Sequence, residues 1–142
     1  MFLLDTNVVS ELRQAAMGKA NEHLVTWASG VESGALYLSS ISILELEIGV
    51  QRVERRDKRQ GKVLRSWLSD KVLPAFQGRV LSFDAASAVI CARYHVPNPR
   101  PDRDSFMAAI AESNNLTVVT RNVKDFEPLG VRVLNPWLSW LV

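Results

Sequence analysis

The sequence predicts an α/β protein: a parallel sheet covered by helices on both faces. Two observations predict it. Short apolar runs recur at residues 2–4, 36–38, 79–83, 116–119 and 131–134, with helical patterns between them. These runs are mostly apolar throughout rather than alternating, as expected for strands buried on both faces.

Each element has a local reason. Residues 2–4 (FLL) form a buried strand that stops at Asp5, and Val8, Val9 and Leu12 then follow helical spacing. Residues 23–32 form a second helix around Leu24, Val25 and Trp27. The second strand, 36–38, is closed by Ser39 and Ser40. Ser42 is a candidate N-cap for a helix whose apolar face is traced by Ile41, Leu44 and Ile48. A break is expected near Gly61, followed by an apolar stripe of Val63, Leu64, Trp67 and Leu68 that ends between Pro74 and Gly78. Asp84 caps a helix after the third strand, and three prolines in VPNPRPDRD make that segment a loop. Residues 105–114 are helical, with Phe106, Met107, Ile110 and Ala111 inward, before the last two strands.

At 142 residues a single domain over 1–142 is expected, long enough to fold without a disulfide or structural metal. Cys91 is the one cysteine, which favours a reducing compartment. The longest uncharged stretch, 33–44, has only 12 residues, too few to span a bilayer. The start MFLLDTN lacks a basic n-region, so no secretory signal is expected and the chain is placed in the cytoplasm. The net charge of +2 says little, but residues 52–65 hold seven basic and two acidic side chains. Such a segment attracts phosphate backbones; it also suits a solvated helix face.

The chemistry rests on carboxylates. Asp5 ends a strand at the edge where open α/β sheets bind ligands, and it could equally be a helix cap. Glu45 falls on the apolar side of its helix, where a charge needs a cation or an Arg partner; Glu47 is expected to face water. Asp104 leaves the proline loop and opens the next helix, where it or Asp102 could act as cap. Thr120, Arg121, Asn122 and Asp125 follow the fourth strand. Carboxylates converging on one sheet edge predict a hard divalent cation, Mg²⁺ or Mn²⁺, able to activate water at a phosphoryl group. Other chemistries fit poorly. His23 and His95 are isolated from each other, Cys91 sits in a helical segment without a sign of thiolate activation, and no Gly-rich phosphate loop follows a strand.

Four ordered motifs, LLDTNVVSEL, SSISILELEIGV, RPDRDSFMAAIA and VVTRNVKDF, together with the terminal VLNPW at 133–137, resemble the PIN-domain ribonucleases. The resemblance is strongest to the VapC toxins of bacterial VapBC toxin–antitoxin modules. It implies a three-layer α/β/α domain on a five-stranded parallel sheet and Mg²⁺- or Mn²⁺-dependent RNA cleavage. It also implies that Asp5, Glu45 and Asp104 hold metal. A fourth acidic position falls on Asn122 or Asp125. Thr6, Asn7 and Thr120 support the site. The family's partners imply a homodimer, and a VapB-like antitoxin that sends an Arg to the carboxylates and carries the complex to operator DNA. The basic segment makes Arg52, Arg55, Arg56 and Arg59 candidates for holding RNA backbone. The Trp-containing tail 135–142 suits a partner surface or the chain's own core. Two rivals remain: a module that mainly binds operator DNA with its partner, and a DNA-directed nuclease of the same fold.

Overall fold

A computed structural model describes residues 1–138. Five strands, β1 (Phe2–Leu4), β2 (Leu36–Ser39), β3 (Val80–Leu81), β4 (Thr117–Val119) and β5 (Val133–Leu134), form one sheet in the order β3-β2-β1-β4-β5. Every pairing is parallel, with Phe2 beside Leu36 on one side and beside Thr117 on the other. The strand order reverses at the β1–β4 boundary, so the crevice beyond their carboxyl ends is the expected ligand site.

Strand alternation sorts the core into two layers. Leu3 and Val118 point to a cluster built from Met107, Ala108, Ile110 and Phe126. Leu4, Leu38 and Val119 point the other way, to Val8, Val9, Leu24, Leu46, Val50 and Leu68. The first cluster draws on α7 (Asp102–Ser113) and α8 (Val123–Phe126), with Tyr94 of α6 (Ala85–Tyr94) packed against it. The second draws on α1 (Thr6–Ala15), α2 (Glu22–Ser29) and α3 (Ser40–Arg56). Helices therefore lie on both faces of the sheet, as the uninterrupted apolar strands required. Asp84 caps α6 as expected, accepting from the Ser87 backbone N–H at 2.9 Å.

The α3 region corrects four expectations. Its cap is Ser39, whose hydroxyl accepts from the Ser42 N–H at 3.1 Å; Ser42 itself is buried inside the first turn. Ile41 is buried as expected, but the buried stripe continues through Ser42, Leu46, Val50 and Val53, and Leu44 is 47% exposed. The helix breaks at Asp57, not at Gly61. Asp57 leaves helical geometry and caps α4 (Lys58–Ser66), accepting from the Gln60 N–H at 3.1 Å. Gly61 is buried within α4, where a Cβ would stand 2.6 Å from Glu54 Cα, so it is the point of close helix crossing. Beyond α4, Trp67–Val72 winds as a π-helical segment into the short α5 (Leu73–Ala75).

Glu47 is the fourth. It does not simply face water: Arg65 on α4 bonds it at 2.8 Å and also takes Glu54 at 3.0 Å, tying α3 to α4. Arg65 thereby leaves the free basic set. Arg52, Arg55, Arg56 and Arg59 are exposed, and among the described residues none of them is in an ion pair. The α7 helix begins at Asp102, so Asp104 lies in its first turn rather than capping it. No helix among the described residues is long and apolar enough to cross a membrane. Of the tail, residues 139–142, including Trp140, lie outside the described residues.

Candidate active site

The site is assembled where three carboxyl-terminal ends meet. β1 delivers Asp5, whose backbone N–H continues the sheet by donating to Val119 of β4 at 2.8 Å. Its side chain is 7% exposed. Oδ1 accepts from the Thr6 N–H at 2.7 Å; Oδ2 accepts from the Thr120 hydroxyl at 2.7 Å and from the Asn7 amide at 3.3 Å. Thr120 is in turn held by the Asn122 backbone N–H at 2.9 Å. Threonine and asparagine are therefore not idle turn residues here. They aim the Asp5 carboxylate and satisfy it in a place short of water. Burial nonetheless raises the Asp5 pKa above its ordinary value, against the hydrogen bonds from Thr120 and Thr6, and the charges of Glu45 and Asp125 push the same way.

Glu45 arrives from one and a half turns into α3. Thr6 donates its hydroxyl to Glu45 Oε1 at 2.7 Å, and that hydroxyl also lies 3.0 Å from the Ser42 hydroxyl. The Arg partner anticipated for a buried Glu is Arg103, whose Nη1 stands 3.7 Å from Oε2, at the long end of a salt bridge. Arg103 is about half exposed, so this pair is weak in water. Asp104, in the first turn of α7, has its pKa raised to about 6. Burial is the main cause, followed by the negative charges of Asp125, Asp5 and Glu45. These carboxylates feel one another across one cleft with little cationic relief.

That cleft, of about 530 Å³, is lined by Asp5, Thr6, Asn7, Glu45, Asp104 and Asn122, with Ser10, Glu11 and Gln14 from α1. Arg121 and Trp137 complete its wall. Asn122 thus lines the cleft directly. Asp125 is exposed on α8 and acts on Asp5 and Asp104 through its charge. Sequence reasoning missed Trp137 and Arg103 as residues of the site. Trp137 lies 17 residues after Thr120 in sequence, and only the packing of the post-β5 segment brings it to the cleft. Arg103 was adjacent to Asp104 throughout, and its position one residue before a cleft carboxylate was the available signal. Arg52, Arg55, Arg56 and Arg59 are not brought to the cleft. Arg56 is eleven residues beyond Glu45 on α3, roughly 16 Å along a helix.

The chemistry available is that of hard oxygen donors. Asp5, Glu45 and Asp104 present carboxylates to one open space and lack a strong counter-cation among the described residues, a donor set that suits Mg²⁺ or Mn²⁺. As the side chains stand, no three acidic, His or Cys groups among the described residues close into a single ligand shell.

The comparisons with known proteins agree with this architecture. The PIN domain family matches residues 2–129. The plasmid stability protein StbB of Pseudomonas syringae pv. tomato is 39% identical over 142 residues, covering 96% of this chain and 99% of that protein. Toxin FitB of Neisseria gonorrhoeae is 36% identical over the same coverage. VapC ribonuclease Y4jK of Sinorhizobium fredii is 32% identical, covering 96% of this chain and 98% of that protein. Among solved structures, the FitAB complex bound to an IR36 DNA fragment superposes with a TM-score of 0.87 at 33% identity, covering 97% of this chain and 96% of its match. With a parallel sheet whose strand order reverses between β1 and β4, carboxylates at that switch point and these matches over nearly the whole length, the chain belongs to the PIN-domain family.

Proposed function

We propose that this protein is a metal-dependent endoribonuclease and the toxin of a two-component toxin–antitoxin module. The observation that carries the reading is the mutual charge of the cleft. Asp104 is held at a pKa of about 6 by burial and by three other carboxylates, the electrostatic position of a group awaiting a cation. The names of the relatives, a toxin and a VapC ribonuclease, support the same reading.

In this reading Asp5, Glu45 and Asp104 hold Mg²⁺ or Mn²⁺, which when bound supplies an activated water and stabilises charge on the phosphoryl group. Asp125 is the better candidate for the fourth acidic position, because its charge bears on Asp104 more strongly than that of Asp5 or Glu45. Asn122, neutral and lining the cleft, serves as a hydrogen-bonding wall. Thr120, Thr6 and Asn7 fix the Asp5 carboxylate, so that it need not reorganise as substrate enters. The open cleft admits a single strand, and the Arg52, Arg55, Arg56 and Arg59 tip takes its backbone further out.

The test is hydrolysis of single-stranded RNA by the purified chain. Activity should need Mg²⁺ or Mn²⁺, stop in EDTA and return with excess metal. Asp5→Ala and Asp104→Asn should each lower the rate by orders of magnitude. Full cleavage in EDTA overturns the metal reading. Cleavage of single-stranded DNA at an equal rate overturns the preference for RNA.

A second reading concerns the assembly. A FitAB complex has been solved on DNA, which supports a partner-borne operator-binding role for this chain in addition to nuclease activity. We infer a homodimer that pairs with a VapB-like antitoxin. A gel-shift with promoter DNA tests this. The co-expressed complex should bind, and the chain alone should not.

A further inference from the structure

We propose that Arg121 and Trp137 form a nucleotide subsite in the cleft: the indole stacks one base of a single strand and the guanidinium holds a neighbouring phosphate. This rests on the reading of the cleft as an RNA site.

The argument starts from the composition of the wall. The cleft carries the carboxylates of Asp5, Glu11, Glu45 and Asp104, which repel a phosphate chain. Among the described residues lining it, Arg121 is the one cation and Trp137 the one aromatic. They are not scattered: the guanidinium lies over the indole, 5.8 Å from its centroid. The ring is half-buried, and at 5.8 Å the guanidinium is not packed onto it, so a base can take the ring's open face while the guanidinium turns to a phosphate. This pairing suits single strands, since every nucleotide brings both groups.

The ring is placed from behind. Trp137 packs against the cluster of Leu4, Val8 and Val119, and its backbone N–H is held by Asn135 Oδ1 at 2.9 Å. A ring so backed loses little freedom on binding. Arg121 directly follows Thr120, whose hydroxyl orients Asp5. A phosphate held by Arg121 therefore sits next to the carboxylate end of the site. A basic partner segment would be drawn to the carboxylates rather than to Arg121, so the abasic series below reads the nucleotide occupant specifically.

The experiment measures binding, not turnover. The Asp104→Asn chain with Mg²⁺ is titrated with a fluorescein-labelled 12-nucleotide RNA, and then with a series carrying one abasic site at each position. Trp137→Ala should weaken the intact RNA by about tenfold or more. One abasic position should cost the parent chain a similar factor and cost the Trp137→Ala chain almost nothing. Trp137→Phe should keep most of the affinity, and Arg121→Gln should lower the slope of log affinity against log salt by about 0.7. Abasic costs that are the same with and without Trp137 overturn the proposal, because the ring is then only a wall of the fold. Loss of all RNA binding by the parent chain overturns both the subsite and the RNA reading. Metal-dependent RNA cleavage by the wild type alongside an unchanged abasic profile overturns the subsite alone.

Discussion

Asp104 shows how much of this site is electrostatic. Its pKa in the folded chain, about 6, lies above the ordinary value of 3.8, so folding favours its protonated form. The stability tied to it is present below pH 4 and is lost as pH rises through 6. Asp104→Asn should therefore raise the melting temperature of the EDTA-treated chain at pH 7.5, by about 1–2 kcal/mol of stability once solvent screening is allowed for. The difference should disappear at pH 4. A variant equal to wild type at both values would mean that neither burial nor the neighbouring carboxylates burden the Asp104 charge. Arg103 predicts the opposite kind of result. Its contact with Glu45 is long and exposed, so Arg103→Ala should change stability by less than about 0.5 kcal/mol in urea unfolding.

At the scale of elements, the α3–α4 pair behaves as a clamped hairpin. Two features hold it: Arg65 gripping Glu47 and Glu54, and Gly61 letting the helices touch. An added methyl at Gly61 meets backbone atoms of Glu54, which cannot swing aside. Gly61→Ala should therefore destabilise by about 1–3 kcal/mol despite the better helix propensity of Ala, read as a lower urea midpoint at unchanged slope. The hairpin tip carries the free arginines. Charge reversal at Arg55, Arg56 and Arg59 should flatten the salt dependence of RNA binding by roughly 0.7 per lost phosphate contact, without lowering the melting temperature. An unchanged slope returns this segment to a solvated helix end.

For the whole molecule, the proposed function ties metal binding, folding and toxicity to one cleft, and each can be measured. A cation that binds only the folded chain stabilises it by mass action. Mn²⁺ added to the EDTA-treated wild type should raise its melting temperature in a concentration-dependent way, and Asp5→Ala should abolish the shift. In cells, expression of the chain without a partner should arrest growth, while the Asp5→Ala chain should be harmless. Normal growth with active, soluble wild-type protein would detach the toxin role from the nuclease fold.

The sequence by itself determined the strands, the parallel sheet and the identity of the carboxylates. Apolar runs ending in Asp5, Ser39 and Thr120 encode strand burial and strand end together, and such local signals survive tertiary packing. It also showed that Glu45 needed either an Arg partner or a cation, though the weak Arg103 contact was not singled out. Tertiary structure alone decided the rest. Ile41 is buried as its spacing predicts, but Leu44 and Ile48 satisfy the helical period as well as Ser42, Leu46, Val50 and Val53 do, and Leu44 is exposed. Only the neighbouring strands and α4 determine which stripe is covered. Gly61 reads in sequence as a breaker because glycine is costly in an isolated helix. Inside the hairpin the same missing Cβ is what permits contact, and the break falls at Asp57, where a side chain can cap the next helix. Trp137 reaches the cleft, and Asp125 reaches Asp104 with its charge, through chain reversals after β5 and β4. Proximity between residues distant in sequence is a property of the packed sheet, and no local pattern records it.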